Sequence, residues 1–175
     1  MATAADKSRV QARIEKLVAS GTPLQQTLEA LVREVEELSP AGVRASILIL
    51  DDDGRRLRHG AAPSLPDDYN AAIDGLEIGP EVGSCGTAAY HGYPVVVFDI
   101  ANNSLWANFK DLALQHGLRA CWSTPIRSGS SGKILGTFAN YYNVVRDPSP
   151  VDRELTAMVT ETAAQAIERA RQEPS

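Results

Sequence analysis

The sequence contains few of the residues that commonly build metal sites, disulfides or nucleic-acid interfaces. Its 175 residues include only two cysteines and three histidines. No two histidines have a metal-ligand spacing such as His-x-x-x-His, so no metal site is predicted. The net charge of −5, with acidic and basic residues mixed along the chain, offers nucleic acid no basic face. Two cysteines in a chain without an export signal are expected to be thiols.

Signatures of membrane insertion, secretion and catalysis are lacking as well. No apolar run approaches ~20 residues, and no positively charged segment followed by an apolar stretch opens the chain. We therefore expect no membrane partner and a cytoplasmic location. Phosphate-loop, Ser-His-Asp and paired-carboxylate motifs are not found, so no catalytic residue is assigned and no cofactor is identified. A hydrophobic content of 43% with 22% charged residues is typical of one globular domain.

The two ends of the chain have helical periodicity. A helix is predicted from Asp6 to Ala19, and a second helix follows Thr22, where Pro23 and Gln25 complete a capping-box pattern. A last helix is predicted after Ser149. The apolar stripes of the terminal helices include Leu24, Leu28, Leu31, Val35, Leu155, Val159 and Ile167. Because one sheet face is not expected to bury all of this apolar surface, the stripes also predict a homodimer interface.

Two predicted hairpins lie between the terminal helices. The first joins strands at Val43–Leu50 and Arg55–Ala62, and the second joins strands at Leu118–Ile126 and Lys133–Tyr142. Short helical segments and an apolar run, Pro94–Phe98, lie between the hairpins. This order predicts an α+β fold in which terminal helices pack on one face of an antiparallel sheet and a pocket-forming segment covers the other.

The pocket is predicted in the segment Val82–Ile126, which contains both cysteines and both tryptophans. Ser84 is the predicted N-cap of a short helix. Cys85 then lies in the first turn, where the partial positive charge favours a thiolate or a bound anion. The alternative role for Cys85 is that of a small buried hydrophobe. Gly86 lets the backbone approach a ligand closely.

The second hairpin supplies further candidate binding residues. Strand alternation places Cys121 and Ser123 on one face and Trp122 on the other, and it leaves open which face lines the pocket. Trp122 is therefore either a pocket residue or a core residue.

Two more candidates lie in the irregular chain between these elements. Trp106 is predicted to be a mobile lid, and Asp99 either caps the following loop or binds ligand, with capping favoured. A small anionic or polar ligand suits the helix end, whereas a flat aromatic one suits the tryptophans.

Four motifs together resemble those of a GAF domain of the bacterial signalling type: GSCGTAAY, PVVVFDIA, LALQHGLRACWSTPI and LGTFANYY. The resemblance implies a six-stranded antiparallel sheet of the GAF/PAS kind, a small-molecule pocket and terminal helices that dimerise. It also implies a histidine kinase or a cyclic-di-nucleotide enzyme, fused or separate, as the output. On this basis we predict a helical extension at 1–22, a GAF domain at 23–170 and a tail at 171–175. The ligand is not identified, because GAF pockets hold unrelated molecules.

The turn from Gly83 to Ala89 is also similar to the GxCGTAA turn of free methionine-(R)-sulfoxide reductases, an enzyme branch of the family. Those reductases carry a catalytic cysteine in a later His-Ile-Ala-Cys-Asp segment, and the corresponding stretch here, Ile100–Trp106, has no cysteine. We therefore favour a non-enzymatic sensory domain. The alternatives are a thiol enzyme that uses Cys85 and Cys121, and a dimerisation domain with a closed pocket.

Overall fold

A six-stranded antiparallel sheet with the strand order β3-β2-β1-β6-β5-β4 is the centre of the computed structural model, which describes residues 4–39 and 42–172. The strands are β1 (Arg44–Leu50), β2 (Arg56–Ala61), β3 (Leu76–Glu77), β4 (Val95–Val97), β5 (Ala120–Arg127) and β6 (Ile134–Tyr142). The helices are α1 (Ala4–Ala19), α2 (Leu24–Leu38), α3 (Asp67–Ile73), α4 (Gly83–His91), α5 (Lys110–Gln115) and α6 (Pro150–Gln172). Two 3-10 turns, Ile100–Asn102 and Ser104–Trp106, precede α5. Within the described residues no helix is both long and apolar enough to span a bilayer.

The two longest strands, β5 and β6, pair with each other in the middle of the sheet. In this pairing Trp122 lies opposite Asn140, and Cys121 lies opposite Tyr141. Successive side chains of a strand point to opposite faces, so the two pairs lie on different sides of the sheet. The predicted antiparallel α+β fold and both hairpins are confirmed.

The two sheet faces build two separate hydrophobic cores. On one face α1, α2 and α6 pack over a cluster that includes Val10, Ile14, Leu28, Leu31, Val35, Ile47, Phe138, Leu155, Val159 and Ile167. On the other face α3, α4 and α5 pack over a cluster that includes Leu48, Leu57, Tyr69, Cys85, Trp106, Leu118, Cys121 and Tyr141. The predicted division, with terminal helices on one face and the pocket segment on the other, is confirmed.

The predicted capping box at the start of α2 is wrong. Pro23 occupies the N-cap position and provides no side-chain cap, and the Thr22 hydroxyl instead lies 2.9 Å from the Ser20 hydroxyl. The fixed φ of Pro23 suits the helix entry, and the short α1–α2 turn brings Ser20 and Thr22 together.

The apolar stripes of the terminal helices are buried within one copy of the chain. Leu28, Leu31 and Val35 of α2 and Val159 of α6 are completely buried against the sheet and one another. Among the described residues, the exposed large hydrophobic side chains are Tyr90, Tyr93, Phe98, Val144 and Val145, all outside the terminal helices. The sheet face therefore buries more than we expected, and a homodimer through these helices could use only their half-buried residues, such as Leu24.

Candidate ligand pocket

A glycine and a threonine determine where α4 begins. Gly83 adopts a φ of 57°, a left-handed conformation that a side chain disfavours. The Thr87 hydroxyl donates to the Gly83 carbonyl at 2.5 Å and accepts from the Val82 N–H at 3.0 Å. These bonds fix the sharp turn that carries the chain into α4.

Ser84 joins three elements and is not the N-cap that we predicted. Val82 occupies the N-cap position, and Ser84 is already inside the first turn of α4. Its buried hydroxyl accepts from Trp106 Nε1 at 3.0 Å and donates to the Cys121 carbonyl at 3.2 Å. The side chain therefore ties α4 to β5 and to the second 3-10 turn.

A small cavity lies between the start of α4, α3 and β6. We name it the α4 cavity; its lining residues are Tyr69, Ile73, Leu76, Val82, Gly83, Ser84, Cys85, Trp106, Phe109 and Tyr141. None of these lining side chains is a carboxylate, an amine or a guanidinium. The polar atoms that they contribute are hydroxyl, thiol and indole groups, which select for a neutral ligand with few hydrogen-bonding groups.

Two tyrosines from distant parts of the chain meet in this cavity. Tyr69 OH donates to Tyr141 OH at 3.0 Å, and the two rings are edge to face with centroids 5.7 Å apart. Burial raises the pKa of both phenols well above the ordinary value, so both stay protonated and the Tyr141 proton remains available for donation.

The two cysteines form a buried thiol pair behind the cavity. Cys85 Sγ lies 2.9 Å from Ser123 Oγ, and Cys121 Sγ lies 3.9 Å from the same oxygen. A hydrogen bond from Cys121 outweighs burial and lowers the pKa of Cys85 to about 7, and the contact with Ser123 lowers it as well. Burial raises the pKa of Cys121, and its hydrogen bond with Cys85 and the Cys85 charge raise it further. Both cysteines are thiols, without a disulfide.

The structure brings most of the predicted site residues together. Ser84, Cys85 and Trp106 line the α4 cavity, and Cys121 and Ser123 lie directly behind it on β5. Strand alternation left open which face of β5 lies toward the pocket. In the structure it is the face that carries Cys121 and Ser123.

Three predicted site residues lie elsewhere. The Trp122 ring is on the opposite sheet face, 5.4 Å from the Arg153 guanidinium of α6. Gly86 does not line the cavity; a Cβ there would lie 2.8 Å from the Cβ of Val82, so this glycine serves helix packing. Asp99 is half-buried at the start of the first 3-10 turn, where its carboxylate accepts from Asn102 Nδ2 at 2.7 Å without capping the backbone.

Trp106 is a wall of the cavity and not a mobile lid. Its side chain is 2% exposed, belongs to the second core and forms an edge-to-face pair with Tyr141. The hydrogen bond to Ser84 further fixes the indole ring. The irregular chain around Trp106 led us to expect exposure, but two consecutive 3-10 turns return the ring to the core.

Sequence reasoning missed Tyr69, Tyr141 and Phe109 as lining residues. Tyr141 could have been found, because it lies directly opposite Cys121 and shares its sheet face. Tyr69 and Phe109 reach the cavity only through the packing of α3 and of the loop before α5, which leaves no periodic signal in the sequence.

Comparison with known proteins identifies the family. The family model described as the GAF domain matches residues 21–168. This chain belongs to the GAF family. A relative, the methyl sulfide methyltransferase-associated sensor of Methanosarcina acetivorans, is 36% identical over 158 residues. That alignment covers 90% of this chain but only 16% of the relative, so the GAF domain corresponds to a small part of a longer protein.

Solved structures share the fold at low sequence identity. A domain from a two-component sensor histidine kinase protein of Sinorhizobium meliloti is 22% identical, with a TM-score of 0.68 over 87% of this chain and 95% of that one. The free methionine-R-sulfoxide reductase of Neisseria meningitidis, solved with its substrate, is 18% identical, with a TM-score of 0.68 over 98% of this chain and 95% of that one. The GAF fold of this chain thus resembles those of a sensor and of an enzyme alike.

Proposed function

We propose that this GAF domain is a sensory module that binds a small uncharged molecule in the α4 cavity and transmits its presence to α6. The observation that carries the proposal is the position of β5 and β6 between the α4 cavity and α6. Their residues alternate between the cavity face and the α6 face, so one pair of strands contacts both the ligand site and the helix that reports on it.

The chemistry of the cavity supports a small neutral ligand. Ligand pockets usually measure roughly 300–1,000 Å³, and the α4 cavity is far smaller, so its wall must open to admit any but the smallest molecule. The helix end suggested an anionic or polar ligand, but the lining provides no basic side chain to support an anionic one. The Tyr141 hydroxyl accepts from Tyr69 and keeps its own proton for a carbonyl or hydroxyl group of the ligand, and most of the surrounding side chains are apolar or aromatic.

The α6 side of β5 and β6 is polar where the helix is anchored. Tyr142 OH donates to Asp152 Oδ2 at 2.6 Å, and Asn140 Nδ2 donates to Thr156 Oγ1 at 2.9 Å. All four side chains are buried. Directed hydrogen bonds in a buried interface have discrete arrangements, so a small shift of the strands favours one position of α6 over another.

This anchor is incompletely paired, which lowers the cost of rearranging it. Asn140 Oδ1, Asp152 Oδ1 and Trp122 Nε1 are buried and have no hydrogen-bond partner within the described part of the chain. An unsatisfied buried polar group costs about 1–3 kcal/mol. An alternative α6 packing that provided partners for these atoms would recover part of this cost.

The output in this proposal is a module that responds to the position of α6. A histidine kinase is favoured over a cyclic-di-nucleotide enzyme by the structural neighbour from a sensor kinase protein. Signal relay through a homodimer of terminal helices is part of the proposal, and the interface would use half-buried residues such as Leu24, Leu38 and Met158.

Native mass spectrometry of the purified chain tests ligand binding. We expect a fraction of the protein to carry a small-molecule adduct. Ile73→Phe fills the cavity from α3 and should remove the adduct, while the exposed Phe98→Leu should retain it. Circular dichroism must show both variants folded. If wild-type protein carries no adduct and its melting temperature does not respond to a library of neutral small molecules, the cavity is not a ligand site.

Hydrogen exchange of the α6 amides tests the relay. Exchange between residues 150 and 160 should differ between protein carrying the adduct and protein from which it has been removed. Thr156→Val breaks the bond to Asn140 and should retain the adduct while reducing this difference. Identical α6 exchange in the two wild-type states would show that binding is not transmitted through this helix.

A thiol-dependent reductase is the second candidate, because Cys85, Cys121 and Ser123 meet at the cavity. Multiple turnover of free methionine-(R)-sulfoxide with a thiol reductant, lost in Cys121→Ser, would replace the sensory proposal. The missing cysteine between Ile100 and Trp106 is the reason that we rank it second.

A further inference from the structure

The sulfur of Cys85 lies against polar groups of β5. Ser123 Oγ is 2.9 Å from Cys85 Sγ, and the same oxygen is 3.9 Å from Cys121 Sγ. Ser123 is completely buried, and Cys121 is nearly so. A hydroxyl and a second thiol beside the Cys85 sulfur can stabilise negative charge on it.

The position of Cys85 in its helix adds to this stabilisation. It lies in the first turn of α4, a nine-residue helix, where free backbone N–H groups create a partial positive charge. The hydrogen bond with Cys121 outweighs burial and lowers the pKa of Cys85 to about 7, so a large part of Cys85 is thiolate at neutral pH. Cys121 has the opposite character, since burial and the neighbouring Cys85 raise its pKa and keep it a thiol.

We propose that Cys85 is oxidised by a hydroperoxide that enters the α4 cavity, and that Cys121 resolves the product to a Cys85–Cys121 disulfide. The two cysteines share Ser123 as a hydrogen-bond neighbour, and Cys85 lines the cavity while Cys121 lies behind it. One sulfur is thus accessible to a small oxidant and the other is placed to attack from the protein side. This inference goes beyond ligand sensing and does not depend on it.

The chemistry balances with the hydroperoxide as the only oxidant. The Cys85 thiolate attacks the peroxide, an S–O bond forms, the O–O bond breaks, and the alcohol or water leaves after taking a proton. Cys121 then attacks the Cys85 sulfur, the S–S bond forms and the S–O bond breaks. Hydroxide leaves and becomes water with the Cys121 proton. Two thiols and one hydroperoxide give one disulfide, one alcohol or water and one further water.

The disulfide would change the cavity and the β5 strand together. It would connect α4 to β5 covalently and remove the Cys85 thiolate that contacts the Ser123 hydroxyl. The Cys121 carbonyl is also the acceptor for Ser84, which in turn holds Trp106. Oxidation would therefore change the same wall that binds the proposed ligand.

Intact-mass analysis after treatment with hydrogen peroxide tests the proposal. Reduced wild-type protein is exposed to equimolar to tenfold peroxide, denatured and alkylated with N-ethylmaleimide. We expect a mass loss of about 2 Da with no maleimide added, as two hydrogens leave on disulfide formation. A tryptic peptide pair linking Cys85 to Cys121 should appear and disappear on reduction.

The single-cysteine variants separate the two roles. In Cys121→Ser, Cys85 should gain about 16 Da and react with dimedone, the reagent for sulfenic acids. In Cys85→Ser, Cys121 should stay a thiol and accept one maleimide. The proposal is overturned if wild-type thiols survive tenfold peroxide, if the disulfide joins two chains, or if Cys121 oxidises equally fast without Cys85.

A variant that leaves both thiols in place guards against misfolding of the cysteine mutants. Ser123→Ala removes the hydroxyl that lies 2.9 Å from Cys85 Sγ and should slow oxidation about threefold at pH 6, because a raised pKa removes thiolate but increases its nucleophilicity. Thr160→Val on the outer side of α6 is the control and should oxidise at the wild-type rate. Equal rates in Ser123→Ala and wild type would contradict the role of the Ser123 hydroxyl. Loss of ligand binding with normal oxidation would refute only the sensory proposal.

Discussion

Trp106 Nε1 donates a hydrogen bond of 3.0 Å to the hydroxyl of Ser84, and both side chains are buried. The bond joins a 3-10 turn to the first turn of α4, which are 22 residues apart in the chain. Because Ser84 also donates to the Cys121 carbonyl, the indole, the helix start and β5 form one connected unit. The cavity wall is thus part of the core, and changes in this wall should affect stability as well as binding.

Replacing Trp106 with alanine should lower the free energy of unfolding by about 3–5 kcal/mol, the usual cost of removing a buried aromatic side chain. Trp106→Phe keeps most of the packing and removes the donor to Ser84, so we expect a smaller loss of about 1–3 kcal/mol. Urea unfolding monitored by circular dichroism measures both. Phe98→Ala, at a side chain that is 56% exposed, is the control and should change stability by no more than about 0.5 kcal/mol. A Trp106→Ala variant as stable as this control would restore the lid interpretation.

The sequence alone was sufficient to predict the antiparallel sheet, but it did not predict the polar contacts of the cavity. Alternation in Leu118–Ile126 correctly separated Cys121 and Ser123 from Trp122, because the period of a strand is a local property. The Tyr69–Tyr141 bond joins residues 72 positions apart, and nothing local indicates that α3 reaches β6. Similarly, α4 starts at Gly83 because glycine tolerates the positive φ at that position. Ser84 therefore lies inside the helix and is not its N-cap.

Gly86→Ala should destabilise the GAF domain by about 1–3 kcal/mol, because overpacking a well-filled site forces its neighbours to move. A Cβ at Gly86 would lie 2.8 Å from the Cβ and 2.9 Å from the Cγ1 of Val82, and these atoms belong to the turn that starts α4. Gly129→Ala is the matched control, since no atom lies within 4 Å of a Cβ built there. Thermal and urea unfolding of both variants test the difference. Equal stability of the two would mean that Val82 moves away without cost.

Cys85 should react with iodoacetamide at a rate that reaches half its maximum at a pH of about 7, since its pKa is lowered from 9.0 to about 7. The rate rises with pH because the thiolate is the reacting form. Cys121, Tyr69 and Tyr141 face Cys85, and all three have raised pKa values, so they stay neutral as Cys85 titrates.

The control for this pH profile is Cys121→Ala, which removes the hydrogen bond that lowers the pKa of Cys85 most. Its midpoint should move upward from about 7 toward the ordinary value of 9.0. Peptide mapping after timed alkylation assigns the rate to Cys85. An unchanged midpoint in Cys121→Ala would show that the other donors are sufficient.

Tyr142→Phe should loosen the start of α6 and leave the cavity intact. The Tyr142 hydroxyl donates to Asp152 Oδ2 at 2.6 Å, while Asp152 Oδ1 has no partner within the described residues. Removing the hydroxyl leaves a completely buried carboxyl group without a side-chain donor, which should cost about 1.5–3 kcal/mol of unfolding free energy. Hydrogen exchange of amides 151–156 should become faster. Tyr141→Phe, one residue earlier on the opposite face, removes the acceptor of Tyr69 and should leave those amides unchanged. If both variants alter α6 exchange equally, the effect spreads through the sheet in general and the Tyr142–Asp152 bond is not the specific link.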